Sequence, residues 1–253
     1  MTRSQLFQIR FAATAGLLLL AFLMVRFLWF PSGYFGISGV AKLFLVLVGV
    51  NFVVGPVLST ILFKPGKWGL KFDLVVVACV EVAILMWGLA EIHERRPAFA
   101  VFAVDRFEAV TQSEVDPSQL AASGLDSSTG FAPRLVYAEL PTDIDVMNQL
   151  IDDTVFLGKK DIDRRPEFWK PYATGMRVIK AAVVPVTDLL LPQDDRATAI
   201  QSWLERNDAQ AKDYTYLPIQ GWSADGIVIL HADIGYPVTV LAIDPWSRPV
   251  AAQ

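Results

Sequence analysis

The sequence predicts a membrane protein: three transmembrane α-helices followed by an α+β extracytoplasmic domain with a C-terminal antiparallel β meander. Three observations carry this reading. Residues of the AVILMFWYC set make up 53% of the 253 residues, charged residues only 19%, and the mean hydropathy is +0.41; an average soluble domain carries roughly 25% charged residues. Long apolar runs crowd into the first hundred positions. The charge is split: residues 1–96 hold nine Lys/Arg and four acids, with none before Asp73, whereas residues 97–253 hold thirteen Lys/Arg and twenty-two acids. The boundary between a membrane domain (1–96) and an outer domain (97–253) falls where the charge balance turns.

The runs predict helices at about 11–30, 40–63 and 72–92. A spanning helix needs about 20 apolar residues to cross about 30 Å of hydrocarbon, and its backbone must be satisfied within the segment. Phe11–Phe30 holds one charge, Arg26, and Val40–Phe63 holds one, Lys42. The first run ends in Arg26-Phe27-Leu28-Trp29-Phe30-Pro31, which offers no small-residue cleavage site, so it reads as a retained anchor. Arg3 and Arg10 precede the first run and three lysines (64, 67 and 71) lie between the second and third, while Pro31–Gly39 has none. The positive-inside rule then puts the N-terminus in the cytoplasm and everything after Ile92 outside.

Few polar groups enter the bilayer. Glu81 lies near the middle of the third helix and Asn51 at similar depth in the second. An acid there is costly and a functional candidate by default; the plainer alternative is a protonated Glu81 bonded to Asn51 across a helix seam. Gly55-Pro56 is expected to bend the second helix. Cys79 is expected to be a small buried packing residue.

The outer part reads as one α+β domain. Ala98–Val104 and Arg134–Leu140 suggest strands, and Ser113–Gly130 is a loop with at most a turn of helix. Thr142-Asp143-Ile144-Asp145 opens a helix with cap chemistry, and Asp194–Asn207 predicts another. Ala173–Leu191 is ambiguous and divided by Pro185. Tyr214–Ile219, Ile227–Ala232 and Val238–Ile243, separated by turn residues, predict the meander.

Composition excludes several classes. The chain is too apolar to be disordered. Cys79, the one cysteine, cannot close an internal disulfide. A formal net charge of -4 does not suit a nucleic-acid binder. The histidines, His93 and His231, are too few and too far apart for a zinc site, and no nucleophile elbow or phosphate-cradling glycine loop is present. The sequence therefore assigns no catalytic, cofactor-binding or metal-binding residue.

One set of motifs is recognisable. Gly55-Pro56-Val57-Leu58-Ser59-Thr60-Ile61-Leu62-Phe63 leads into Pro65-Gly66-Lys67. Leu70-Lys71-Phe72-Asp73-Leu74, Trp87-Gly88, Arg96-Pro97 and Val104-Asp105-Arg106-Phe107 follow. Together these resemble the type IV pilin accessory protein family (TfpX/TfpZ family). Tyr216-Leu217-Pro218-Ile219 and Asp244-Pro245-Trp246 resemble its C-terminal pattern. One departure is Glu81, where a glutamine is expected.

The resemblance implies an inner-membrane protein that is not an enzyme and has no cofactor. It would support assembly of a cognate type IV pilin, contacting the pilin stem in the bilayer and the pilin head in the periplasm. Its implied partners are the pilin subunit, the pilus assembly machinery and the lipid bilayer. The possible pilin contacts it singles out are Gly55, Pro56, Lys67, Asp73, Glu81, Arg96, Pro97, Asp105, Arg106, Phe107, Tyr216, Pro218, Pro245 and Trp246. The alternative is a membrane-anchored pilin-modifying enzyme such as a glycosyltransferase. Structural roles are also open to these motifs: a helix bend at Gly55-Pro56, an anchor and stop at Arg96-Pro97, and a strand end with paired ions and a buried ring at Asp105-Arg106-Phe107.

Overall fold

The computed structural model describes residues 2–64, 68–125, 130–191 and 194–246. Three helical segments are long and apolar enough to cross a membrane: Arg3–Trp29, Val40–Leu62 and Leu70–Glu94. The first is helix α1 (Arg3–Met24) continued by a π-helical stretch, Val25–Trp29. It starts earlier than the apolar run because Thr2 and Gln5 form a capping box, which satisfies otherwise orphaned N–H groups and extends the helix over polar residues. A short helix α2 (Tyr34–Ile37) follows. The second span is helix α3 (Val40–Phe52), a π-helical turn over Val53–Leu58, and helix α4 (Ser59–Leu62). The π turn contains Pro56, whose missing N–H breaks the regular ladder. The third span is helix α5 (Leu70–Glu94).

The chain divides into two compact units, one of residues 1–29 and 39–96, the other of residues 30–38 and 97–253. The second unit therefore includes the link between the first two spans. Val240 N–H donates to Ser32 O at 2.8 Å, and Ser223 and Ala224 N–H donate to Ile37 O at 3.1 and 3.2 Å. Phe30 and Ile37 are fully buried. Gly33 has φ 89°, and a Cβ there would strike the carbonyl oxygen of Val240, so only glycine permits this approach.

The second unit is built on a mixed sheet. Its strands are β1 (Pro97–Ala103), β2 (Arg106–Thr111), β3 (Arg134–Ala138), β4 (Trp169–Pro171), β5 (Val184–Pro185), β6 (Tyr214–Gln220), β7 (Gly226–His231) and β8 (Pro237–Leu241). The order is β4-β3-β1-β2-β6-β7-β8, with β5 also paired to β6. Strand β1 is parallel to β3, β2 is parallel to β6, and β6-β7-β8 is the antiparallel meander. Every residue of β1 is buried, which explains its unbroken apolar run.

Helices α6 (Pro117–Ala122) and α7 (Ile144–Val155) send Leu120 and Leu150 into a core with Phe99, Val101, Val136 and Trp169. After helix α8 (Met176–Ala182), helices α9 (Thr187–Leu190) and α10 (Asp195–Arg206) pack Leu189, Ile200 and Trp203 against Ile227 and Ile229 of β7. Asp143 and Asp194 cap α7 and α10. An aromatic chain runs Phe102–Phe107–Tyr172–Tyr236 with centroid spacings of 5.5, 6.2 and 5.2 Å. Tyr172 O–H donates to Gly235 O at 2.7 Å, tying the segment after β4 to the β7–β8 turn.

The β1–β2 hairpin closes tightly at Val104, with φ 59° and Asp105 N–H donating to Ala103 O at 2.7 Å. This is a γ-turn of the strained positive-φ kind, and valine is poorly suited to it. Replacing Val104 by glycine should stabilise the protein by about 1 kcal/mol, visible as a higher midpoint in thermal unfolding. A lower midpoint would show that the valine side chain, 57% exposed, makes an interaction worth more than the strain.

Candidate functional site

The polar centre of the membrane unit is assembled from all three spans. Arg10 Nη2 donates to Glu81 Oε2 at 2.5 Å and Arg10 Nε donates to Ser59 Oγ at 3.2 Å. Thr14 Oγ1 donates to the other carboxylate oxygen, Glu81 Oε1. Thr14, Ser59 and Glu81 are buried. Gly55 makes room for them, since a Cβ there would collide with Glu81 Oε1 and lie 2.6 Å from Thr14 Oγ1. An ion pair removed from water persists only when its remaining polar groups are also bonded, and Ser59 and Thr14 supply those bonds.

This corrects the expected pairing of Glu81 with Asn51. Glu81 is bonded to Arg10 and Thr14 instead, and Asn51 Nδ2 donates within its own helix to Leu47 O at 2.8 Å, leaving Oδ1 buried without a bonding partner. Arg10 has a side chain long enough to run along the helix to the acid, although in the sequence it reads as a flanking charge. Cys79 is exposed on the surface of α5, a second correction. A residue on a spanning helix that packs on no neighbour meets lipid rather than water, so an apolar thiol suffers no penalty there.

The membrane unit also holds an apolar cleft of about 480 Å³ between α1 and α5, lined by Leu17, Leu20, Met24, Leu85, Met86 and Leu89. The rings of Trp29 and His93, 4.9 Å apart, stand at one end of it.

In the second unit the structure joins two motifs that lie far apart in sequence. The Arg106 guanidinium pairs with Asp105 at 3.0 Å and lies 5.5 Å from the centre of the Trp246 ring. Trp246 Nε1 donates to Asp225 Oδ2 at 2.8 Å, and Trp246 N–H donates to Asp244 Oδ1 at 2.8 Å, with Pro245 between. Trp246 and Asp105 are exposed, so this knot is presented on the surface. Phe107 is fully buried in the aromatic chain. Pro97 opens β1 opposite Thr111. Tyr216 and Pro218 are half-buried in β6, opposite Ile229 and Ile227. Asp73 sits in the first turn of α5, where a negative charge suits the helix N-terminus. Arg96 is half-buried just before β1, and Lys67 lies outside the described residues.

A charged group that no sequence motif announced lies beside β2. Arg164 pairs with Glu114 at 3.0 Å and with Asp163. Glu114 accepts from Thr111 N–H at 2.8 Å. Burial, and then the negative charge of Asp163, push Glu108 up to about 7, against the lowering effect of Arg164 and Arg106. No group of three or more His, Cys, Asp or Glu able to hold a metal occurs among the described residues.

These arrangements define a protein with three membrane-crossing helices and a folded α+β domain. The chain is similar to the fimbrial assembly protein of serogroup I of Dichelobacter nodosus, 24% identical over 235 residues, covering 88% of each chain. It is similar also to that organism's fimbrial assembly protein of serogroup E1, 25% identical over 188 residues, 70% of this chain and 72% of the relative. A third relative, the fimbrial assembly protein of serogroups C1 and C2, is 28% identical over 95 residues, 36% of this chain and 72% of the relative. No family model and no solved structure matches the chain.

Two outcomes follow from the site. Glu81→Ala leaves the partly buried Arg10 guanidinium without its carboxylate, so thermal stability in detergent should fall by on the order of 2 kcal/mol, and Arg10→Ala/Glu81→Ala together should lose less than the two single changes summed. Strict additivity would mean that the pair does not couple the helices. The raised Glu108 acid implies stability that falls as pH rises from about 4.5, where the unfolded group ionises, to about 7, where the folded one does. Glu108→Gln, which stays neutral, should match the parent near pH 4.5 and exceed its unfolding midpoint above pH 7; an equal difference at both pH values would contradict this.

Proposed function

We propose that this is a bacterial inner-membrane accessory protein that supports assembly of a cognate type IV pilin, with its N-terminus in the cytoplasm and its α+β domain in the periplasm. The observation that carries the reading is the similarity to the serogroup I fimbrial assembly protein along 88% of both chains. Such a match covers the spans and the domain together rather than one common module. The three lysines between the second and third spans support the orientation.

A pilin awaiting assembly is an apolar stem in the bilayer and a folded head outside it. The cleft between α1 and α5 has the apolar lining that a stem helix needs, and contact there would be by van der Waals packing, since lipid competes for the same surface. Gly55, Pro56, Asp73 and Glu81 set the packing and charge of the helices; Lys67 belongs to the inner lysine loop. For the head, the surface knot of Asp105, Arg106, Pro245 and Trp246 offers an exposed aromatic ring and paired charges, groups often found at the centre of interfaces. Arg96, Pro97, Phe107, Tyr216 and Pro218 hold the strands that present it. The work is holding and presenting, without chemical change to the pilin.

In-cell photocrosslinking tests this. Crosslinkers at Met86 and at Trp246 should each yield a pilin adduct, and one at lipid-facing Leu45, 70% exposed, should not. A deletion strain should lose surface pili while the mass of its pilin stays unchanged. Absence of adducts with normal piliation would overturn the proposal, and a changed pilin mass would point to a modifying enzyme.

A further inference from the structure

The surface knot around Trp246 is made from two limbs of the α+β unit, and one segment packs on both. The first limb is the turn between β6 and β7, residues 221–226, whose Asp225 accepts from Trp246 Nε1. The second is the tail that follows β8 and runs through Ala242 to Asp244 and Trp246. The segment that meets both is 30–38, which belongs to the same compact unit.

Its contacts with the turn are close and directed. Ile37 O accepts from Ser223 N–H at 3.1 Å and from Ala224 N–H at 3.2 Å, the two residues just before Asp225. The Ile37 side chain is buried and takes the space left by two glycines. A Cβ on Gly221 would lie 2.7 Å from Ile37 Cβ, and one on Gly226 would lie 3.0 Å from Ile37 Cγ2. Contacts of the same kind hold the tail. Val240 N–H donates to Ser32 O at 2.8 Å. Gly36, in α2, faces Ala242, and a Cβ on it would lie 2.9 Å from Ala242 Cβ. Ala242 is two residues before Asp244, whose carboxylate accepts from Trp246 N–H. The indole itself is 46% exposed, so burial does not fix it. Its bonds to Asp225 and Asp244 and its contact with Arg106 do, and both acids sit on limbs that residues 30–38 hold. Close-packed contacts without voids pass a displacement on rather than absorb it.

We propose that Gly36 and Ile37 are positioning residues for the Trp246 surface: the link 30–38 sets the spacing of the two limbs and thereby the orientation of the indole. A displacement of the link then moves the knot, and a partner that clamps the knot resists that displacement by the same coupling free energy. Use of this coupling in receiving a pilin head rests on the function proposed above; the coupling itself does not.

The test uses the full chain in lipid nanodiscs, labelled with fluorotryptophan and without any partner. The fluorine resonance lost in Trp246→Phe assigns that ring, and Trp169→Phe and Trp203→Phe assign two reference rings buried in the cores. Gly36→Ala, whose methyl must push Ala242, and Ile37→Ala, which empties the space beside Gly221 and Gly226, should each shift or broaden the Trp246 resonance while the two references stay in place. Ile37→Val keeps the Cβ and Cγ2 atoms that meet the glycines and should leave the Trp246 resonance at its parental position. An unmoved Trp246 resonance in both alanine variants overturns the proposal. A shift shared equally by all three rings overturns it too, since that would mean a general loosening of the domain. The experiment contains no pilin, so its failure leaves the pilin reading standing, and a failure of the crosslinking above leaves this coupling standing.

Discussion

The constraint on which most of the structure depends is that residues 30–38, the link between the first two spans, fold as part of the α+β domain. Ser32 and Ile37 accept backbone hydrogen bonds from Val240, Ser223 and Ala224, and Ile37, buried, lies against Gly221 and Gly226. The polypeptide therefore passes between the two units at three places: after Trp29, before Gly39 and after Arg96. In the topology proposed above, the end of the first span, the start of the second and the end of the third emerge on one face of the bilayer, and the N-terminus and the loop between the second and third spans lie on the other.

The spans need a different kind of specification. Inside lipid, apolar contact between helices competes with equally apolar lipid, so polar groups and close approaches set the arrangement. Glu81 supplies an acid, Arg10 and Thr14 satisfy both of its oxygens, Ser59 holds the arginine, and Gly55 leaves the space in which they meet. Each span contributes at least one partner. Pro56 fits the same account: its π-helical turn displaces the ladder where Gly55 and Ser59 face the other helices. Glu81 is thus explained by packing, and the proposed function does not need it to be chemically active.

Much of this fold is legible in the sequence because its causes are local. Hydropathy marked the three spans, cap residues marked α7 and α10, and turn residues with β-branched runs marked β6, β7 and β8. What stayed hidden depends on partners distant along the chain. Strand β2 alternates poorly because it is a central strand joined to β1 and, in parallel, to β6, and it read as no more than the end of a motif. The Glu81 partner was misassigned because depth along a helix says nothing about which neighbour a long arginine can reach, and Arg10 counted only as a flanking charge. The role of residues 30–38 had no local signal: that Gly33 takes a positive φ to approach Val240 is visible only once the chain is folded. Of the motif residues, Asp105, Arg106 and Trp246 converge, whereas Phe107 and Pro97 are explained by the core and the sheet. The shift of Glu108 toward neutrality needs the approach of Asp163, which no spacing announces.

The account rests on the sidedness of the domain. With Cys79 replaced by serine, a cysteine at exposed Trp222 and another at exposed Gln5 can be probed in intact spheroplasts with a membrane-impermeant maleimide. Position 222 should label at once, and position 5 only after the membrane is opened. Labelling of position 5 with protection of position 222 would place the domain in the cytoplasm and contradict the account at its root.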